Sequence, residues 1–76
     1  MANNLDENVL RLLSITKELG YPLQCNAIIA QGANNGMTDR EARAAYDEAR
    51  ARGLIEEIDR YGMARLTENG LAALEQ

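Results

Sequence analysis

The sequence predicts a mainly helical α+β domain, in which a three-helix core is followed by a short β-hairpin and a last helix. Two observations indicate this class. Apolar residues recur every three or four positions over three stretches before Gly53, which is the period of a helix buried on one side. After Gly53, two short apolar runs are separated by a turn, as in a hairpin. One domain is expected over residues 1–76.

The first helix is expected to begin near Asn4, which can cap it, with Glu7 at the spacing of a capping box. Its inward stripe is predicted as Leu5, Val9, Leu12, Leu13 and Thr16, widened by Leu10, Ile15 and Leu19. Gly20 suits a left-handed cap, and Pro22 prevents continuation of the helix. Residues 23–24 are predicted as a short strand that could pair with an edge of the hairpin.

The second helix is predicted over residues 25–31. Its inward residues are expected to be Ala27, Ile28 and Ala30. Gly32 is expected to end this helix. Residues 33–36 are predicted as a loop, because Asn and Gly tolerate a positive φ.

The third helix, over residues 38–52, has the clearest signals. Thr38 is a favourable N-cap, and Glu41 completes a capping box. The predicted inward stripe is Ala42, Ala45, Tyr46 and Ala49. Arginines in the last turn suit the negative end of the helix, and Gly53 can close it.

The rest of the chain predicts a hairpin and one more helix. Residues 54–58 and 63–66 are the predicted strands, and residues 59–62 form the turn between them. Thr67 is then expected to cap a helix over residues 68–75. The inward residues of this helix are predicted as Leu71 and Leu74.

Composition excludes several function classes. Cys25 is the only cysteine and there is no histidine, so neither an internal disulfide nor a zinc site is expected. No nucleophile has a nearby base and no glycine motif suits a phosphate, so an enzyme and a cofactor are not expected. Neither a signal peptide nor an apolar run of the ~20 residues needed to span a bilayer is visible, so a cytoplasmic location is expected.

The net charge of −4 argues against non-specific binding to nucleic acid. Its distribution is uneven. Six arginines and six acidic residues lie between Arg40 and Arg65, so this stretch is neutral. The whole net charge comes from the rest of the chain, where Arg11 and Lys17 are outnumbered by six acids. The cations are therefore concentrated in the third helix and the hairpin.

Two stretches, together with the element order, resemble the winged helix-turn-helix fold of bacterial and archaeal regulators, especially the MarR and PadR types. The first is Ala42, Tyr46, Ala49, Gly53, Leu54 and Ile55, and the second is Arg65, Leu66, Thr67, Glu68, Asn69 and Gly70. The resemblance covers residues 5–74. It implies a small DNA-binding transcriptional regulator whose hairpin is the wing. The chain departs from the pattern in a longer loop over residues 32–37, a short acidic wing, and alanines at positions 42 and 49.

The resemblance implies that the third helix enters the major groove of double-stranded DNA. Arg40 and Arg43 would read guanine edges, and Ala44 would let the helix approach the groove floor. Thr38 and the amides of the first turn could hold a phosphate. Asp47 would repel phosphate or select a cytosine amine. The predicted contacts with the DNA backbone are Arg50, Arg60 and Arg65.

The same charges also fit a solvated helix face. Arg43 and Asp47 are four residues apart, and Asp47 and Arg50 are three apart, so both could be ordinary surface pairs. On charge pattern alone this interpretation is favoured over a DNA contact. The wing contains Glu56, Glu57 and Asp59, whereas a wing that grips phosphates is basic. The alternative function is therefore an acidic winged-helix module that binds a protein partner without binding DNA.

Tyr46 is expected in the core rather than as a stacking platform for bases. Tyr61 is expected to be exposed or to cover the sheet, with a wing contact and a dimer contact as alternatives. Cys25 is expected to be a packed or partly exposed thiol. The small size favours a homodimer, and the first and last helices are the predicted dimer surfaces. A two-fold dimer would imply a palindromic operator.

Overall fold

The computed structural model of the chain describes residues 6–20 and 22–75, which contain both helices and short strands. Within these residues the chain forms a compact, mainly helical α+β domain with a small antiparallel sheet, as the sequence predicts. The elements are α1 (Glu7–Leu19), β1 (Leu23–Gln24), α2 (Cys25–Asn34), α3 (Asp39–Ala51), β2 (Ile55–Glu57), β3 (Met63–Leu66) and α4 (Glu68–Leu74).

Helix α1 begins later than predicted. Its cap is Asp6, whose carboxylate accepts a hydrogen bond from the Asn8 amide at 2.7 Å. The predicted cap, Asn4, and the first residue of the predicted stripe, Leu5, lie outside the described residues. The inward positions of Val9, Leu12, Leu13 and Thr16 are confirmed, because all four are buried, whereas Leu10, Ile15 and Leu19 are only partly buried. Gly20 has the predicted left-handed conformation, with φ 77°.

Helix α2 is longer than predicted, and its buried face is different. It continues to Asn34, so Gly32 lies inside the helix and the loop before α3 is shorter than expected. The buried residues are Ile28, Ile29 and Gly32, whereas the predicted inward residues Ala27 and Ala30 are exposed.

Packing explains why residue 32 is a glycine. A Cβ at this position would lie 3.0 Å from Leu12 of α1, 3.1 Å from Ala42 of α3 and 3.3 Å from the sulfur of Met37. Three elements therefore meet at Gly32, and this close approach requires its missing side chain.

Helix α3 matches its prediction. The Glu41 amide donates to the Thr38 hydroxyl at 3.0 Å, and the Thr38 amide donates to the Glu41 carboxylate at 2.8 Å, which completes the capping box. The inward stripe of Ala42, Ala45, Tyr46 and Ala49 is buried against α1 and α2. Gly53 follows the helix with φ 73°.

The sheet has the strand order β1-β3-β2, with antiparallel pairing throughout. The predicted pairing of residues 23–24 with the hairpin is confirmed, since Leu23 pairs with Ala64 of β3. Strand β2 is shorter than predicted and contains residues 55–57. At the hairpin turn, the Asp59 carboxylate accepts hydrogen bonds from the amides of Tyr61 and Met63, at 2.8 and 3.2 Å.

Helix α4 is capped by Thr67 as predicted, because the Thr67 hydroxyl accepts from the Gly70 amide at 3.0 Å. Its buried residues are Gly70 and Ala73, while Leu71 is 38% exposed, so the predicted inward position of Leu71 is wrong. Leu74 is partly buried and packs against the core. Gly70 can face inward because it has no Cβ, and a Cβ at this position would collide with the backbone carbonyl of Leu54.

The core is almost entirely aliphatic, with Tyr46 as its one aromatic member among the described residues. Leu12, Leu13 and Ile28 fill its centre, and Ile55 and Ala64 close it from the sheet. No helix in residues 6–20 and 22–75 is both long and apolar enough to cross a membrane.

The Gly70→Ala substitution tests the contact between α4 and the turn after α3. We expect the free energy of unfolding to fall by about 1–3 kcal/mol, because overpacking against backbone outweighs the better helix propensity of alanine. Denaturant unfolding followed by circular dichroism measures this change. Asn69→Ala, at the exposed neighbouring position, is the control and should leave stability nearly unchanged. A Gly70→Ala protein as stable as the control would contradict the close approach.

Candidate nucleic-acid interface

The outward face of α3 is the main candidate for binding nucleic acid. Because the alanine-and-tyrosine stripe packs on α1 and α2, the opposite side of the helix faces solvent. This side, called the α3 face below, consists of Arg40, Arg43, Ala44, Asp47 and Ala51, and all five residues are exposed. At about 100° per residue, Arg40, Ala44, Asp47 and Ala51 are predicted to point outward and Arg43 to lie on a flank, and the exposure of all five agrees with this.

Arg40 and Arg43 are the two positively charged residues of the α3 face. Neither makes a hydrogen bond or an ion pair with another described residue. Their guanidinium groups are therefore available to a ligand without the loss of an intramolecular contact. Arginine presents donors in a planar fork, which matches both the guanine edge and a phosphate.

The surface pairs predicted for Asp47 are not formed. No ion pair joins Asp47 to Arg43 or to Arg50. Arg50 instead extends to the sheet, where its Nη1 lies 3.0 Å from the Glu57 carboxylate. Asp47 consequently stands in the middle of the α3 face as an exposed carboxylate.

Glu57 links α3 to the hairpin through two residues of the helix. Its Oε2 atom accepts a hydrogen bond from the Tyr46 hydroxyl at 2.8 Å and another from Arg50 at 3.0 Å. Burial, followed by the hydrogen bond and charge of Glu57, raises the pKa of the Tyr46 hydroxyl well above its usual range. The expectation that Tyr46 lies in the core is confirmed, since it is 3% exposed.

Sequence reasoning missed this role of Glu57. Side chains alternate between the two faces of a strand, so Glu56 and Glu57 must point in opposite directions. Because Ile55 is buried, Glu57 shares its side of the sheet and faces α3. The alternation could therefore have shown that Glu57 faces α3, but it did not identify Arg50 and Tyr46 as its partners.

Two more arginines are also paired with carboxylates. Arg65 of β3 lies 2.9 Å from Glu56 on the outer face of the sheet, and Arg52 lies 3.0 Å from Glu48. Exposed pairs of this kind stabilise a protein by about 0–1 kcal/mol. A phosphate can therefore compete for Arg50 or Arg65, but each exchange leaves a carboxylate near the phosphate.

The hairpin turn presents an exposed cation and an exposed ring. The Arg60 guanidinium lies 5.4 Å from the centre of the Tyr61 ring, within the range of a cation–π contact. Tyr61 is 69% exposed, so it belongs to the surface rather than to a cover over the sheet. Neighbouring Ile58 is also exposed.

The N-terminus of α3 already has an anionic partner. The capping box uses the amides of Thr38 and Glu41, and the carboxylates of Asp39 and Glu41 lie in the first turn. A phosphate at Thr38 would meet these two negative charges. Among the sequence-predicted contacts, this helix end is therefore a weaker anion site than the two free arginines.

No group of three or more acidic, cysteine or histidine side chains in residues 6–20 and 22–75 is placed to hold a metal ion. Cys25, the one thiol, is partly buried at the start of α2. Its sulfur lies 3.1 Å from the position that a Cβ on Gly62 would take, so packing accounts for its place.

Comparison of the chain with protein-family models, with curated proteins and with solved structures gives no significant match.

The Tyr46→Phe substitution tests the hydrogen bond to Glu57. We expect a loss of about 1–3 kcal/mol in the free energy of unfolding at neutral pH, because a hydrogen bond to a charged group is removed. The folded pKa of Tyr46 is raised, so the stability that its hydroxyl provides is present below pH 10 and is lost as the pH rises above it. The difference between wild type and Tyr46→Phe should therefore shrink above pH 10.

Denaturant unfolding at several alkaline pH values measures this difference. Tyr61→Phe is the matched control, since it removes an exposed hydroxyl and should keep the alkaline profile of the wild type. A constant difference between wild type and Tyr46→Phe across the alkaline range would rule out the proposed effect of the buried hydroxyl.

The Glu56→Gln substitution tests whether the hairpin acids limit contact with DNA. It removes one negative charge and frees Arg65. We expect affinity for a random duplex at low salt to rise about two- to fivefold, the equivalent of one exposed charge pair. Fluorescence anisotropy with a labelled duplex measures it. Glu18→Gln on α1 makes the same charge change away from the hairpin, and an equal rise there would show a non-local charge effect.

Proposed function

We propose that this chain is a winged helix-turn-helix DNA-binding domain that acts as a transcriptional regulator, with α3 in the major groove. The observation that supports this most is the α3 face, on which two arginines without a partner among the described residues lie near small side chains. Arg40 and Arg43 are the proposed readers of guanine edges. Ala44 and Ala51 leave room for the helix backbone to come near the bases.

The order of elements supports the winged-helix assignment. Two helices, α2 and α3, are joined by a short turn and pack together, as in a helix-turn-helix. Strand β1 lies between α1 and α2 and forms the third strand beside β3, so that the hairpin projects next to α3. In this assignment the β2–β3 hairpin is the wing.

The backbone contacts are assigned to three arginines around the α3 face. Arg50 and Arg65 would exchange Glu57 and Glu56 for phosphates, and Arg60 at the hairpin turn would reach the backbone directly. Since each exchange leaves an acid close to DNA, the electrostatic part of the binding is small. The proposal therefore predicts a protein that depends on base contacts more than on general attraction to DNA.

A second candidate function has its own supporting observation. Glu57 neutralises Arg50, and Glu56 neutralises Arg65. At the hairpin turn, Tyr61 and Ile58 are exposed. Such a surface suits a protein partner, because aromatic residues are enriched in protein interfaces. The second candidate is a winged-helix interaction module that does not bind DNA.

The homodimer remains a prediction. On α1 and α4, Leu71 is the one large hydrophobic residue that counts as exposed within the described parts of these helices. The outer strip of α1, Glu7, Arg11, Ser14 and Glu18, is polar. Beside this strip, Leu10, Ile15 and Leu74 are partly exposed and line a surface depression between α1 and α4.

Charge reversal of the two free arginines tests the proposed function. Arg40→Glu combined with Arg43→Glu is expected to abolish the mobility shift that the wild type gives with duplex DNA at low salt. The wild-type shift should also weaken as salt rises, but with a shallow slope, because only a few phosphate contacts release counterions. Electrophoretic mobility assays over a salt series measure both effects.

Arg11→Glu combined with Lys17→Glu is the matched control. It changes the net charge by the same amount but alters α1 instead of α3. This control should keep most of the shift. Loss of binding in both double variants would indicate general charge rather than the α3 face. No shift of the wild type at low salt would reject DNA binding and favour the interaction module.

A further inference from the structure

Beyond the first turn of α3, Asp47 differs from the neighbouring acids because nothing in the described part of the chain pairs with it. Beyond the first turn, the helix contains Asp47 and Glu48, and Glu48 is paired with Arg52. On the facing strand, Glu57 is bound by Tyr46 and Arg50. Asp47 alone among these acids is exposed without a hydrogen bond or an ion pair.

The missing pairs with Arg43 and Arg50 are informative, because both arginines have the spacing to form them. Arg50 is held by Glu57 at 3.0 Å, which takes it away from Asp47. Arg43 makes no ion pair with any residue that the structure describes. The carboxylate of Asp47 and the guanidinium of Arg43 are therefore both free to contact a ligand on the same face.

A carboxylate in this position has few favourable partners in DNA. It accepts hydrogen bonds only, and it repels phosphates. In the major groove, the exocyclic amine of cytosine is the donor that aspartate and glutamate recognise, whereas the guanine edge offers acceptors. Adenine also presents an amine, but its N7 acceptor stands beside it and repels a carboxylate, so an α3 face that enters the groove is most favourable with Asp47 opposite a cytosine.

We propose that Asp47 is a specificity-determining residue that selects cytosine in the DNA site read by α3. This inference rests on the proposed DNA-binding function. Residues four apart on a helix are separated by about 6 Å along the axis and lie on one side of it. Arg43 and Asp47 would therefore read neighbouring base pairs, a guanine and a cytosine within one or two steps of each other.

The role is one of recognition rather than stability. Asp47 has no intramolecular contact to lose among the described residues, so Asp47→Asn should leave the unfolding midpoint close to that of the wild type. A change in base preference on substitution would then report a DNA contact and not a folding defect.

Selection from a pool of randomised duplexes tests the proposal, with wild type, Asp47→Asn and Asp47→Glu run in parallel. The wild type is expected to prefer cytosine at one position by about fivefold or more over other bases. Asp47→Asn should lose that preference while binding random duplex more tightly, because a repulsive charge is gone. Asp47→Glu should keep the preference. Glu48→Gln is the matched control and should leave the selected sequence unchanged.

The outcomes separate this inference from the proposed function. If the wild type selects a sequence and Asp47→Asn keeps the same cytosine preference, the role of Asp47 is rejected while DNA binding stands. If Asp47→Asn binds duplex and the wild type does not, Asp47 only repels DNA, which overturns the inference. If neither protein binds any duplex, both the inference and the DNA-binding function fail.

Discussion

Gly32 of α2 and Ala42 of α3 approach each other so closely that one added carbon on the glycine would lie 3.1 Å from the alanine methyl. The chain contains no Phe or Trp, so its core cannot be filled by large rings. Dense packing is reached instead by bringing helix backbones together through small side chains. The direction in which α3 points, and with it the composition of the α3 face, follows from this contact.

The position of the hairpin relative to α3 depends on a second, polar contact. Glu57 accepts from both Tyr46 and Arg50, so one carboxylate connects the core side of the helix, its flank and strand β2. Thr67 adds to this connection, since its hydroxyl donates to the Gly53 carbonyl at 2.6 Å. Recognition helix and wing, in the proposed assignment, are thereby held as one surface rather than as two independent parts.

If the proposed assignment holds, the charges of that surface favour selective contacts over general attraction to DNA. A neutral stretch with six arginines would suggest an evenly compensated face, yet the pairing is uneven. Arg50, Arg52 and Arg65 contact carboxylates, whereas Arg40 and Arg43 have no such partner among the described residues. Arg60 at the hairpin turn also lacks a carboxylate partner among these residues, so two of the three uncompensated arginines lie in the first half of α3, the part that would contact base edges in the proposed assignment.

The sequence by itself determined the features that depend on neighbours along the chain. The capping box of α3, its buried stripe, the glycine after α1 and the hairpin follow from contacts within four residues or from simple alternation. The outward placement of Arg40, Ala44 and Asp47, with Arg43 on the flank, was predictable for the same reason, because helical geometry fixes it.

Tertiary structure alone decided the features that depend on distant segments. Gly32 lies inside α2, where Leu12 and Ala42 occupy the space that a side chain at this position would take. Leu71 is exposed because Gly70, its neighbour in α4, faces Leu54. Likewise, the partner of Arg50 is Glu57 on another element rather than Asp47 on its own helix. Local patterns specify which residues can form a helix or a pair, but the packing of remote backbones selects among the possibilities.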